Sequence, residues 1–263
     1  LSAAYDLYRA GWQVTVLEAR KRVGGRVHTL RNFSDGLVAE AGGEFIDRQH
    51  TRMLAFAKEF NLTLGEVGSW QGQTEDWGAY EGKAGQSNDT DVWGFDLGAE
   101  YGRVWSALAE LGKLVPDPLH PETVPNAKEL DTQSAADWLN AQDVHPLART
   151  AFANHIRSEY TCEPEQFSLL DLARNGAMYY SAPNLNRSTY RIVGGNDQIP
   201  RAIAALLPDV RLNAEVTSIN NQSDGVSVTY KQGDSFHTVS SAFAILAIPL
   251  TTARMIEFNP PLP

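Results

Sequence analysis

Four residues set close together carry the clearest chemistry in this sequence: Glu18, which ends the apolar run Val14-Thr15-Val16-Leu17, and then Gly24, Gly25 and Arg26. A carboxylate only accepts hydrogen bonds, so at the tip of a strand it can take both hydroxyl donors of a ribose, as the acid ending the second strand of a dinucleotide fold does. Paired glycines let backbone N–H groups approach a diphosphate with no Cβ in the way, and a nearby arginine adds fixed positive charge with forked donors. Alone, these residues also describe a surface turn with a solvated basic cluster of Arg20, Lys21, Arg22 and Arg26. The acid-ended strand in front of them favours the dinucleotide reading.

Other side chains offer less. His155 and Arg157 lie two apart near the end of an expected helix, where an arginine suits a substrate carboxylate through a bidentate pair and equally suits a surface ion pair. Trp70, Trp77 and Trp93 could line an aromatic pocket for a cation, or simply pack. The single cysteine, Cys162, excludes an internal disulfide and reads as a small buried hydrophobe. No Ser-His-Asp spacing and no metal-ligand cluster stands out, so hydrolysis and metal catalysis are disfavoured.

The 263 residues, 43% hydrophobic and 21% charged, have an ordinary globular composition. A net charge of −10 with scattered acids argues against a nucleic-acid or anionic-membrane surface. No apolar run approaches the ~20 residues of a spanning helix, so no membrane span is expected. The sequence does not reveal a compartment.

The elements that must position these residues follow from periodicity. Residues 1–10 place Ala3, Leu7 and Ala10 at helical spacing and stop at Gly11, suited to the left-handed turn past a helix end. Residues 13–17 form a strand of the doubly covered parallel kind, giving the second half of a βαβ unit. Residues 51–60 predict a helix with Met53, Leu54, Ala57 and Phe60 inward and Thr51 as its cap. From residue 65 the composition turns to Gly, Gln, Asp and Trp, which marks a boundary. Helices are predicted over 101–114, 134–141, 147–160 and, capped by Ser168, through 172–180. After Gly194-Gly195 comes a helix at 199–207 with Pro200 in its first turn. Period-two strands are then predicted at 210–213, 216–220, 225–231 and 236–239. The run 242–248 is continuously apolar and predicts one more buried strand.

The order of these motifs is similar to that of a known family. Leu17-Glu18-Ala19-Arg20 through Val23-Gly24-Gly25-Arg26 and Thr29 resembles the start of the flavin-containing amine oxidases: monoamine, polyamine and L-amino acid oxidases. Glu40-Ala41-Gly42-Gly43-Glu44-Phe45 resembles the family's second glycine pair, whose backbone lies along the flavin side of FAD. Ile192-Val193-Gly194-Gly195, Gln198-Ile199-Pro200 and the stretch up to Val216 resemble the return to the FAD domain, with Val216 matching a residue whose backbone holds the adenine. Ala247-Ile248-Pro249 and the stretch from Phe258 to Pro263 resemble the re-entry into the substrate domain. Residues 65–189 match in layout only.

The resemblance implies FAD as cofactor, held by Glu18, Ala19, Arg20, Gly24, Gly25, Arg26, Ala41, Gly42, Gly43, Glu44 and Val216, with Phe45 and Arg157 as substrate-side candidates. Glu44 departs from the small, aromatic or amide residues of several relatives. No catalytic residue is assigned, because the family's water-holding lysine and aromatic walls lie beyond the stretch matching Pro260-Pro261-Leu262-Pro263.

The expected fold is α/β: a doubly wound, Rossmann-like FAD-binding domain from residues 1–64 and 190–250, interrupted by a mostly helical substrate-binding domain at 65–189, with 251–263 starting the return to it. The implied reaction is oxidative deamination of a small amine or L-amino acid with O2, giving an imine and then an aldehyde or keto acid, ammonia and H2O2. Two alternatives stay open: an FAD-dependent desaturase or protoporphyrinogen-oxidase-like enzyme, and a non-catalytic truncated interaction module. A homo-oligomer is also left open. Because residue 1 falls inside the helix that should follow a Gly-rich turn, the chain is expected to be a fragment that alone neither holds FAD tightly nor turns over an amine.

Overall fold

The computed structural model describes residues 1–67, 77–179 and 189–262. The chain divides into two compact units, residues 1–69 with 188–263, and residues 70–187.

In the first unit, α1 (Ser2–Arg9) buries Tyr5, with Leu1 and Ala4 beside it, in place of the stripe through Ala3, Leu7 and Ala10. The aromatic ring decides the rotation: it packs edge-on against Phe56 and Phe60, and its hydroxyl donates to Glu59 at 2.6 Å. Gly11 follows at φ +88°, as its position past the helix end requires. Next come the short strand β1 (Val16–Leu17), the antiparallel ribbon of β2 (Thr29–Leu30) and β3 (Ala39–Glu40), then β4 (Ile46–Asp47), α2 (Thr51–Glu59) and β5 (Leu64–Val67). Thr51 is the first helical residue rather than the cap. His50 precedes it, and its Nδ1 accepts the Asp47 N–H at 3.0 Å.

Residues 77–179 are mostly helical. A hairpin of β6 (Trp77–Tyr80) and β7 (Lys83–Gln86) turns through Glu81 and Gly82, both at positive φ, the pair of conformations a tight two-residue hairpin needs. It is followed by α3 (Thr90–Trp93), α4 (Leu97–Gly112), α5 (Ala127–Thr132), α6 (Ala135–Asn140), α7 (Pro146–Tyr160) and α8 (Leu169–Tyr179). Short polar side chains start several of them. Asp96 accepts the Ala99 N–H at 2.8 Å, Ser134 and Asp137 form a reciprocal capping box, and Ser168 accepts the Leu170 N–H at 3.1 Å. The apolar faces of α4, α7 and α8 meet in a core around Val104, Leu108, Phe152, Ile156 and Leu172. Gly176 lets α8 press on α4, since a Cβ there would lie 2.5 Å from the Leu108 carbonyl oxygen.

The chain then supplies β8 (Thr189–Ile192), which lies between β4 and β5 and pairs antiparallel with both. After α9 (Gln198–Leu206), β9 (Val210–Arg211) runs parallel to β1 with Val16 opposite Val210. The strands β10 (Glu215–Gln222), β11 (Gly225–Gln232) and β12 (Ser235–Ser241) form a meander, and after α10 (Leu250–Ala253) the strand β13 (Glu257–Asn259) joins β10 in parallel. Ile46, Phe56, Ile192, Ile199 and Ile203 form the core of this unit. Helices interleaved with a parallel strand pair put the chain in the α/β class. The run 242–248 departs from expectation. It forms no ladder with any described strand and lies open, Phe243 74% and Ile245 62% exposed, touching Trp12 edge-on. Apolar composition suits a buried strand, but a strand exists only where a partner takes its N–H and C=O groups.

Phe152 is fully buried at the meeting of α4, α7 and α8. Phe152→Ala is expected to cost about 3–5 kcal/mol through lost burial and the cavity left behind. A urea titration followed by circular dichroism measures it.

Candidate dinucleotide site

Beyond β1 the chain is stitched to the segment after β9. The Glu18 N–H donates to the Arg211 carbonyl, the Ala214 N–H to the Glu18 carbonyl, both at 2.9 Å, and the Asn213 N–H to the Arg20 carbonyl at 3.0 Å. This fixes Glu18 at the strand tip, half-buried, with one carboxylate oxygen accepting the Arg20 N–H at 2.9 Å. The other oxygen has no protein partner among the described residues. Ala19 and Arg20 are exposed, and Val216 lies in β10 two residues past Ala214, so the structure brings Val216 to the neighbourhood of Glu18.

The glycine loop is held by an arginine to which the sequence assigned no role. Arg22 donates to the carbonyls of Val23, Gly25 and Val27, at 2.9 Å for Gly25, and the Val27 N–H closes onto the Gly24 carbonyl at 2.8 Å. Gly24 sits at φ +99°, where a Cβ would lie 2.6 Å from the Val27 carbonyl oxygen. Gly25 is also at positive φ and faces open space. The N–H groups of Gly24, Gly25 and Arg26 meet no protein acceptor among the described residues, and the Arg26 guanidinium is exposed and unpaired there.

The second glycine pair lies against this loop. The Gly43 N–H donates to the Arg26 carbonyl at 2.9 Å, and the Ala41 N–H to that of His28 at 2.8 Å. Gly42 approaches so closely that a Cβ would fall 1.9 Å from the Arg26 carbonyl oxygen. Only glycine fits.

A buried knot joins both to the start of α9. Asn196, 2% exposed, donates its two amide protons to the carbonyls of Gly43 (2.9 Å) and Glu44 (2.8 Å) and accepts the Ile192 N–H at 2.8 Å. Its backbone N–H donates to Glu40 Oε1 at 2.8 Å, and the Thr29 hydroxyl donates to Glu40 Oε2 at 2.9 Å. Thr29 also accepts the Asp197 N–H, and Gly195 at φ +115° makes room for it. Asp197 is paired with Arg31, which holds its carboxyl below the usual aspartate range against the opposing effect of burial. The signal that could have found this knot is the sequence Gly194-Gly195-Asn196-Asp197, whose polar pair precedes an apolar helix. Its carbonyl partners lie about 150 residues away and leave no local trace.

Glu44 forms an ion pair with Arg191, whose guanidinium lies 4.9 Å from the centre of the Phe45 ring. Arg157 is an exposed helix residue that donates to Glu163 at 2.7 Å and to Asn154 at 2.8 Å. The His155 imidazole packs on Trp105 and Phe152, and burial lowers its pKa. Trp93 is buried and donates to the Gln86 carbonyl at 2.7 Å, while Trp70 and the Trp77 side chain lie outside the described residues. An open groove of about 450 Å³ beside α4 holds no candidate residue, and its Glu100 is already engaged by Arg103 and the His145 N–H. Among the described residues no helix is long and apolar enough to cross a membrane, and no group of three or more potential ligands could hold a metal ion.

The family model described as flavin containing amine oxidoreductase matches residues 1–263. A Mycobacterium tuberculosis protein provisionally named as the flavin-containing monoamine oxidase AofH is 33% identical over 279 residues, covering all of this chain and 57% of that protein. An L-amino-acid oxidase of Bothrops pauloensis is 30% identical over 281 residues, covering 100% and 52%. Among solved structures, cyclohexylamine oxidase from Brevibacterium oxydans superimposes with a TM-score of 0.81 at 24% identity, and putrescine oxidase bound to putrescine with 0.77 at 27%; each match covers all of this chain and 58% of the other. The chain thus spans little more than half the length of the proteins it matches.

Asp197 generates a pH prediction. Its folded pKa lies below the unfolded one, so the stability it contributes is present above the unfolded value of about 3.9 and is lost as pH falls through the lowered folded value. Asp197→Asn should flatten the fall of the urea midpoint as the buffer is taken from about pH 5 down to pH 2. An unchanged slope would mean that the pair with Arg31 adds nothing in solution.

Proposed function

The chain belongs to the flavin-containing amine oxidoreductases, and on that premise we propose that the complete protein oxidises a small amine or L-amino acid with FAD and oxygen. One observation carries the reading. Two glycine pairs and an acid-ended strand are bound into one connected set of loops, with the backbone donors of Gly24, Gly25, Arg26 and Gly42 lacking any protein acceptor among the described residues.

These residues fit FAD. The uncommitted oxygen of Glu18 would accept from the ribose, and the Val216 backbone nearby, with Ala19 and Arg20, would flank the adenosine. The free N–H groups of Gly24, Gly25 and Arg26, with the Arg26 guanidinium, would face the pyrophosphate. Ala41, Gly42, Gly43 and Glu44 would run along the flavin, with the missing Cβ of Gly42 letting this segment lie against the Arg26 carbonyl. Phe45 would face the substrate. Arg157, the other substrate-side candidate, has Nε and Nη1 bonded to Glu163 and Asn154, the arrangement of its surface ion-pair alternative.

When bound, FAD would supply the electron acceptor: the C–H beside the neutral amine nitrogen would give up a hydride equivalent, water would hydrolyse the resulting imine to a carbonyl compound and ammonia, and oxygen would take the two electrons to become hydrogen peroxide. The net charge of −10 favours the approach of a cationic amine, whereas the reaction needs the neutral form. Activity is therefore expected to rise through the pH range in which the substrate amine loses its proton.

A panel of cyclohexylamine, putrescine, primary monoamines and L-amino acids, offered anaerobically to the complete protein, should bleach the flavin with at least one class. In air the same class should release peroxide. No bleaching by any of them would turn the assignment towards the desaturase-like reading. Glu18→Ala should raise the FAD dissociation constant by ~tenfold or more, since each bond to an ionised acceptor is worth about 1.5–3 kcal/mol. Fluorescence quenching on titration with FAD measures it, and an unchanged constant would remove Glu18 from the site.

A further inference from the structure

Asn196 does more than fill a buried position. Both protons of its carboxamide go to consecutive carbonyls, those of Gly43 and Glu44, at 2.9 and 2.8 Å. In a planar trans peptide the N–H points opposite to the C=O of the same unit, and the only cis bond in the described chain is Asn259-Pro260. Drawing the Gly43 carbonyl inward therefore turns the Glu44 N–H outward, and drawing the Glu44 carbonyl inward does the same for the Phe45 N–H. Neither N–H meets a protein acceptor among the described residues, and both residues are exposed. Two successive donors on one side make a concavity suited to an electron-rich oxygen.

The segment is held from every direction. The Gly43 N–H is fixed on the Arg26 carbonyl, Asn196 Oδ1 on the Ile192 N–H, and the Asn196 backbone on Glu40. Thr29 ties Glu40 in turn. The outward donors are thus set before any ligand arrives, which removes an ordering cost from binding.

We propose that Asn196 is a positioning residue that presents the Glu44 and Phe45 N–H groups to an oxygen acceptor of the bound cofactor, a ring carbonyl or a phosphate. The inference rests on FAD being the resident cofactor. Buried beneath the segment, Asn196 would act through the two peptides it orients.

The test is amide hydrogen exchange, with short labelling pulses, on the complete protein with and without FAD. Addition of FAD should slow exchange at Glu44 and Phe45. Riboflavin and ADP, run in parallel, separate the sources: protection by riboflavin assigns the ring carbonyl, protection by ADP the phosphate. Flavin that binds, seen by its visible spectrum, while both amides exchange as before overturns the inference and leaves the FAD reading standing. A protein that takes up no flavin overturns both. This measurement needs no variant.

Asn196→Asp keeps the size and the acceptor for Ile192 but removes both donors, and should weaken FAD binding by ~tenfold or more, shift the flavin absorption band and abolish protection at residues 44 and 45. Phe152→Leu is the comparator for lost stability, since it changes a core residue with no part in the loops. It should lower the melting temperature and leave FAD affinity and the flavin spectrum unchanged. If Asn196→Asp behaves like Phe152→Leu, the role of Asn196 is structural only and the proposal fails.

Discussion

A polar group taken out of water must find a partner or cost about 1–3 kcal/mol, and that requirement organises the unit formed by residues 1–69 and 188–263. Among the described residues, Thr29, Asn196 and Asp197 are buried polar side chains that meet at one place, and each is fully engaged. Their partners come from the β2–β3 ribbon and Arg31 just after β2, the second glycine pair, and the end of β8. Such a network is all or nothing, because loss of one member strands several groups at once. The glycines around it serve the same end: Gly42 and Gly195 are places where a side chain would occupy the space of a neighbouring backbone or hydroxyl. Close approach and complete hydrogen bonding are here one constraint seen from two sides.

The basic stretch from Arg20 to Arg26 shows how one residue type divides its work. Arg22 spends its donors on three loop carbonyls, whereas Arg26 leaves its guanidinium in solvent beside free N–H groups. The first arginine gives the loop its shape and the second leaves it positive. In a chain of net charge −10 that local excess stands out, and it suits a phosphate-bearing ligand.

What the sequence revealed depended on how local the cause was. The cap at Ser168, the helix stop at Gly11 and the alternating strands of the meander were legible because each is decided within a few residues. The glycine pairs were legible for the same reason. The rotation of α1 was not, since Tyr5 finds Phe56, Phe60 and Glu59 more than fifty residues on. Thr51 has the residue type of a cap, yet the helix begins on it and His50 takes the preceding place, its ring turned to the Asp47 N–H. The run 242–248 carried the right composition for a strand, but pairing is a property of two segments and cannot be read from one. Arg22 and Asn196 lay inside recognised motifs without a role, since their partners are backbone atoms, which every residue has alike.

The interval of 152 residues between Glu44 and Asn196 also sets a clock. At about 5–20 residues per second, a ribosome needs on the order of ten to thirty seconds to get from one to the other. Until Asn196 itself emerges, the carbonyls of Gly43 and Glu44 lack their native partner, whereas the contiguous helices of residues 97–179 emerge before it and hold their own core within that stretch. The second glycine pair and Glu44 are translated early and receive their bonds from Asn196 late, so the order of synthesis separates the making of this loop from its locking.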